Sequence, residues 1–142
     1  MARVVLDTNV LRAALWSSSG ASFRLVDSLP RADVTPCFRC RSTSSIRKCS
    51  RVRSNCRRMW MRRGSWGFLR RFAALAEPRE IHFLWRPWLH DRDDDMVLEL
   101  AVNGSATHLV TFNKPDFAGV EAAFGIRVVT PAEFLASLPP KP

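Results

Sequence analysis

The segment Val4-Val5-Leu6-Asp7-Thr8-Asn9 constrains this chain most: three apolar residues run directly into a carboxylate, a hydroxyl and an amide. A strand without polar alternation is covered on both faces, which points to a parallel sheet held between helices. Two later segments repeat the theme. His90-Asp91-Arg92-Asp93-Asp94-Asp95 leads into the helix-like Met96-Val97-Leu98-Glu99-Leu100-Ala101, and Leu109-Val110-Thr111-Phe112 leads into Asn113-Lys114-Pro115-Asp116-Phe117. Acid-bearing ends so far apart in sequence converge only at one edge of a sheet. Carboxylates gathered there repel strongly unless a cation sits among them, and oxygen-only ligands suit Mg²⁺ or Mn²⁺.

The rest of the chain alternates strands and helices. Strands are expected at residues 4–6, from Asp33-Val34-Thr35, and at 81–84, 109–112 and 126–130. Helices are expected at 9–17, around 23–29 before Pro30, at 68–76 before Pro78, at 94–103 with Asn103-Gly104 as its stop, and at 131–138 with Pro131 in its first turn. This pattern predicts an α/β fold in three layers, α/β/α, around a parallel central sheet. Ligand sites in such sheets lie beyond the carboxyl ends of the strands, where Asp7 and Asn113 fall.

At 142 residues the chain is expected to be one domain, residues 1–138, with a short tail at 139–142. It shows no apolar run of membrane-spanning length and no signal-peptide pattern, so a cytoplasmic location without disulfides is the expectation. The net charge of +9 invites a nucleic-acid partner, yet the charge is local. Residues 37–71 hold twelve Lys and Arg, no acid and all four Cys; the remaining ten bases are outnumbered by thirteen acids.

The ordered set of motifs resembles the PIN domain, a family of metal-dependent nucleases, and within it the VapC-like toxins of toxin–antitoxin systems. The resemblance rests on Asp7-Thr8-Asn9, Asp93-Asp94-Asp95 at a helix start, Thr111-Phe112-Asn113-Lys114-Pro115-Asp116-Phe117, and Val128-Val129-Thr130-Pro131-Ala132-Glu133-Phe134-Leu135. It covers residues 2–36 and 72–138. It implies an endoribonuclease that hydrolyses single-stranded RNA by in-line attack, leaving a 5′-phosphate and a 3′-hydroxyl, with Mg²⁺ or Mn²⁺ as cofactor. The partners it implies are the RNA substrate and a cognate antitoxin protein; a second copy of the chain is a further candidate, and a membrane is not.

Asp7 is the foremost ligand, although an Asp after a strand also serves as the N-cap of the next helix. Asp95 stands in the register of the family's third acid and is assigned as ligand, with Asp93 or Asp94 behind it; those two also suit capping and the helix dipole. Asp116 and Asn113 share the fourth position, where many relatives carry an Asp in place of Asn113, and a plain turn is the alternative. The expected catalytic and metal set is thus Asp7, Asp95 and Asp116, supported by Asn9, Asp93, Asp94 and Asn113. Glu99 reads as a solvent-facing residue. His82, His90 and His108 read as packing residues. Trp88, with Trp85, is either edge packing or a base-stacking surface, packing being the commoner use.

Residues 37–71 depart from the family, which places an apolar, Glu-bearing helix there. A slipped reading frame is the first explanation. Shifting by one base forces Leu from Asn55-Cys56, Val from Met59-Trp60, Asp from Trp60-Met61 and Gly from Trp66-Gly67, and permissive codons turn the stretch after Cys37 into an apolar, Glu-containing helix. A natural basic loop is the second, and a zinc site at Cys37, Cys40, Cys49 and Cys56 the third. Two rival functions follow: a catalytically impaired PIN remnant, and a nucleic-acid-binding module using residues 39–63.

Overall fold

The alternating side chains of β1 (Ala2–Leu6) serve two cores at once. Val4 and Leu6 pack with Val10, Ala14, Leu25, Val110 and Phe134, whereas Val5 packs with Leu98, Ala101, Leu109, Phe117 and Val128. That division makes β1 the central strand and explains why Val4-Val5-Leu6, its buried half, carries no polar residue.

The computed structural model describes residues 2–29, 34–40, 76–84 and 87–139. After β1 come α1 (Thr8–Trp16), α2 (Ala21–Ser28), β2 (Val34–Cys40), β3 (Glu77–Glu80), α3 (Arg92–Asn103), β4 (His108–Val110), a 3-10 turn (Lys114–Phe117), α4 (Val120–Phe124), β5 (Arg127–Val129) and α5 (Pro131–Ser137). The strands form one parallel sheet in the order β3-β2-β1-β4-β5. The two hydrophobic clusters place α1, α2 and α5 on one face and α3 and α4 on the other. The three-layer α/β/α expectation is met. Among the described residues no helix is long and apolar enough to cross a membrane.

The third strand differs from its expected position. The apolar run at 81–84 is not a strand; β3 lies just before it, in Glu77-Pro78-Arg79-Glu80. As an edge strand, β3 tolerates polar residues and a Pro that a central strand would reject. Residues 81–84 are instead held by the Asn103 side chain, whose Oδ1 accepts from the backbone N–H groups of His82 and Phe83 and whose Nδ2 donates to the Phe83 carbonyl. Phe83 and Leu84 remain largely exposed.

The α3 stop falls as expected. Gly104 follows Asn103 as the C-cap, and a Cβ there would lie 2.9 Å from the Leu100 carbonyl oxygen and 3.4 Å from Cys37 Sγ. Lack of space, not an unusual backbone angle, requires the glycine. At α5, Pro131 occupies the first turn and a reciprocal capping box joins Thr130 and Glu133. The short α4 and the 3-10 turn are additions that the apolar pattern alone does not announce.

Residues 37–40 of the anomalous segment belong to β2, in register with β3. Of the helix expected at 68–76 only Ala76 is described, as a buried bend before β3; residues 68–75, the frame-slip stretch beyond Cys40, Cys49 and Cys56 lie outside the described residues. Cys37 itself is buried, and burial pushes its thiol pKa up against the opposing pull of Arg79. Zinc ligation needs the thiolate, so this environment disfavours Cys37 as a zinc ligand.

Candidate active site at the carboxyl edge of the sheet

Backbone pairing fixes Asp7 and Thr111 before their side chains are considered. Leu6 pairs with Val110 in the β1–β4 register, and the ladder runs one residue further: Asp7 N–H donates to the Val110 carbonyl at 2.9 Å, and Thr111 N–H to that of Val129 at 2.9 Å. Neighbouring side chains in a parallel ladder stand side by side. Accordingly, Thr111 Oγ1 donates to Asp7 Oδ2 at 2.9 Å, and Thr8 Oγ1 donates to Asp7 Oδ1 at 3.2 Å. Asp7 and Thr111 are both buried.

Asp7 occupies the N-cap position of α1, but its carboxylate makes no capping bond; the Asp7 carbonyl accepts from Val10 and Leu11 instead. The simple capping explanation for this acid therefore fails. Two residues on, Asn9 Oδ1 is buried with no hydrogen-bond partner.

At the start of α3, Asp91 is the capping residue, its Oδ1 accepting from Asp93 N–H at 2.8 Å. Capping is thus not what Asp93 and Asp94 do. Asp94, half-buried, has its pKa pushed up to about 6 by burial first and then by the charges of Asp7, Asp91, Asp116 and Asp93. That field comes from acids just past β1, at the start of α3 and on the 3-10 turn.

Asp95 faces elsewhere. It is 2% exposed, and its Oδ1 accepts from Leu89 N–H at 2.7 Å and Trp88 N–H at 3.2 Å. One helical step turns a side chain by about 100°, so Asp94 and Asp95 point differently: Asp94 feels the charge of the other acids, while Asp95 ties down the loop before the helix. Glu99, one turn beyond, is fully buried (0% exposed), contrary to its solvent-facing expectation. It lies on the face of α3 that meets the protein interior.

Asp116 is exposed on the 3-10 turn. The turn is fastened by Asp116 N–H donating to the Asn113 carbonyl at 3.1 Å and by Lys114 Nζ on Glu133 at 3.2 Å. Asn113 is exposed, and its N–H donates to Thr111 Oγ1 at 3.1 Å. Thr111 thereby links the Asp7 carboxylate to the segment that carries Asp116. Sequence reasoning missed its role, because only the β1–β4 register sets it beside Asp7.

Of the secondary candidates, His108 and Trp88 pack against aromatic rings, whereas His82 and His90 depart from the packing expectation. His108 lies at the opposite end of β4, edge-on to Phe134, with its pKa lowered by burial and by Arg127. His82 and His90 are exposed. Trp88 packs edge-on against Phe124, with ring centroids 5.1 Å apart.

The oxygen donors Asp7, Asp94 and Asp116, with the orphaned Asn9 oxygen nearby in sequence, have the chemistry of a hard divalent-cation site. Among the described residues, no three His, Cys, Asp or Glu side chains already stand close enough to hold an ion. Mutual repulsion of ionised carboxylates opposes closer approach without a cation.

The PIN domain family model matches residues 3–115. No curated protein matches the chain. Among solved structures, a chain of VapBC2 from Rickettsia felis, crystallised with a DNA fragment from its promoter, is similar with a TM-score of 0.55 at 12% identity, covering 89% of this chain and 96% of that one. At that identity the likeness concerns the fold.

Proposed function

The chain belongs to the PIN domain family, and from that premise we propose that it is a divalent-metal-dependent endoribonuclease, the toxin of a toxin–antitoxin pair. One observation carries the nuclease reading: the Asp7 carboxylate is buried at the carboxyl edge of the sheet, held by the Thr111 and Thr8 hydroxyls and not used as a helix cap, and its charge, with that of Asp116, opposes ionisation of Asp94. A purely structural role for such mutually repelling groups has no evident gain. The antitoxin partner is supported by the resemblance to VapBC2, a toxin–antitoxin complex.

Asp7, Asp94 and Asp116 would hold the ion, Asp94 taking the role that sequence register gives to Asp95. When bound, Mg²⁺ or Mn²⁺ supplies Lewis acidity toward the phosphodiester and favours deprotonation of the attacking water. Thr111 and Thr8 fix the Asp7 carboxylate by donating to its two oxygens. Asp95 fixes the start of α3, and so Asp94, by gripping the amides at residues 88 and 89. Asn9 and Asn113 offer amide groups to orient water or phosphate beside the acids. The substrate is single-stranded RNA, cut to a 5′-phosphate and a 3′-hydroxyl.

Purified protein should cleave single-stranded RNA with Mg²⁺ or Mn²⁺, stop in chelator, and stop in Asp7→Asn. Cleavage indifferent to chelator contradicts the metal mechanism.

A catalytically impaired remnant is the second reading, favoured by the spread of the carboxylates among the described residues. The family's Glu-bearing helix would fall where this chain has its basic segment. Measured Mg²⁺ affinity separates the two, since a remnant binds the ion weakly and leaves RNA intact. The nucleic-acid-binding role of residues 39–63 falls almost entirely outside the described residues.

A further inference from the structure

Phe112 breaks the burial pattern at the acid edge. Val110 and Thr111 are fully buried, yet the next residue holds a phenyl ring 48% exposed. Among the described residues this ring stacks on no other, unlike Trp88, which rests on Phe124. Phe112 follows the residue that holds Asp7 and precedes the turn that carries Asp116. The charge at this edge is adverse to a polyanion: Asp7, Asp91, Asp93 and Asp116 all act on Asp94, and Lys114 on the same turn is drawn to Glu133. Direct phosphate contacts to these acids and to the paired Lys114 therefore contribute little to holding a nucleic acid at this edge. A π-face can hold one, because stacking needs no positive charge.

We propose that Phe112 is a substrate-positioning residue that stacks on an unpaired nucleobase adjoining the scissile phosphate. The inference rests on the nuclease reading and names the subsite through which that site selects single strands. In a duplex the base faces are already stacked on one another, so the ring finds a partner only in unpaired RNA. Stacking on one face is tolerant of base identity, which makes Phe112 a determinant of strandedness more than of sequence.

The experiment is steady-state cleavage of a short fluorescent single-stranded RNA in Mg²⁺ by wild type, Phe112→Ala, Phe112→Leu and Phe112→Trp, with thermal melts confirming the fold of each. Phe112→Ala should raise KM about 5- to 150-fold, the range equivalent to one base–aromatic stack, while kcat stays within about twofold. Phe112→Leu, apolar without a π-face, should resemble Phe112→Ala, and Phe112→Trp should restore KM. Replacing nucleotides one at a time by abasic sites should find one position that weakens wild type but adds nothing to Phe112→Ala. Unchanged KM in Phe112→Ala, or Leu serving as well as Trp, overturns the proposal. Unchanged RNA kinetics with loss of antitoxin binding also overturns it, assigning the ring to a protein partner. Wild-type protein that leaves RNA uncut refutes the nuclease reading itself, a result distinct from the others.

Discussion

Thr111 Oγ1 donates to Asp7 Oδ2 across 2.9 Å, and both residues sit one position past the paired ends of β4 and β1. The hydroxyl also accepts from the Asn113 N–H, so one buried group orients the carboxylate and the start of the acidic turn together. Thr111→Val keeps the shape and removes both bonds. It should cost about 1–3 kcal/mol, the range for leaving buried polar groups unpaired, and should weaken Mn²⁺ binding. Thr111→Ser should recover most of both. Denaturant unfolding and calorimetric titration of the ion measure the two effects.

Asp94 and Asp95 are neighbours with different surroundings, and substitution should separate the roles proposed for them. Asp94→Asn removes a charge from a repelling group, so it should abolish cleavage while leaving the fold at least as stable at neutral pH. Asp95→Ala releases the amides of Trp88 and Leu89 and should destabilise by roughly 3 kcal/mol, as expected for lost bonds to a charged acceptor. Thermal melts read beside RNA cleavage test the contrast. Equal loss of stability in both variants would contradict it.

The raised pKa of Asp94 gives stability a definite pH dependence. Its folded value, about 6, lies above the ordinary 3.8, so the folded state favours the protonated form. That contribution is complete below about 3.8 and is lost as pH rises through about 6. Without divalent ions, wild type should therefore lose stability relative to Asp94→Asn over this window. The ion needs the ionised carboxylate, so its affinity should fall as pH drops below about 6. Melts of both proteins from pH 4 to 8, with and without Mg²⁺, provide the check; parallel curves would contradict the assignment.

Asn103 holds the exposed stretch after β3 by three hydrogen bonds and donates a fourth to the Glu99 carbonyl. Asn103→Ala should cost about 1 kcal/mol, modest because these groups are solvent-accessible. Faster hydrogen exchange should be confined to His82 and Phe83. Unchanged exchange there would show that the side chain is not what restrains the loop.

Much of the architecture is legible before any coordinates. Uniformly apolar Val4-Val5-Leu6 announces a central parallel strand, and the acids before Met96 announce the start of α3. β3 is hidden because an edge strand needs no apolar signature, and the misleading run at 81–84 owes its shape to a side-chain clip. Choosing among Asp93, Asp94 and Asp95 requires the helical phase, which depends on Asp91 being the cap. Thr111 is invisible as a positioning group until the β1–β4 register is known. Glu99 misleads because a charged residue at helical spacing usually faces water, whereas here it is fully buried.

Mn²⁺ titration of wild type and the Asn variants at Asp7, Asp94, Asp116 and Asp95, near neutral pH, probes the proposed ion site most directly. Binding should be lost or severely weakened in the first three variants and retained by folded Asp95→Asn. Retention in Asp7→Asn and Asp94→Asn, with loss in Asp95→Asn alone, would contradict the account.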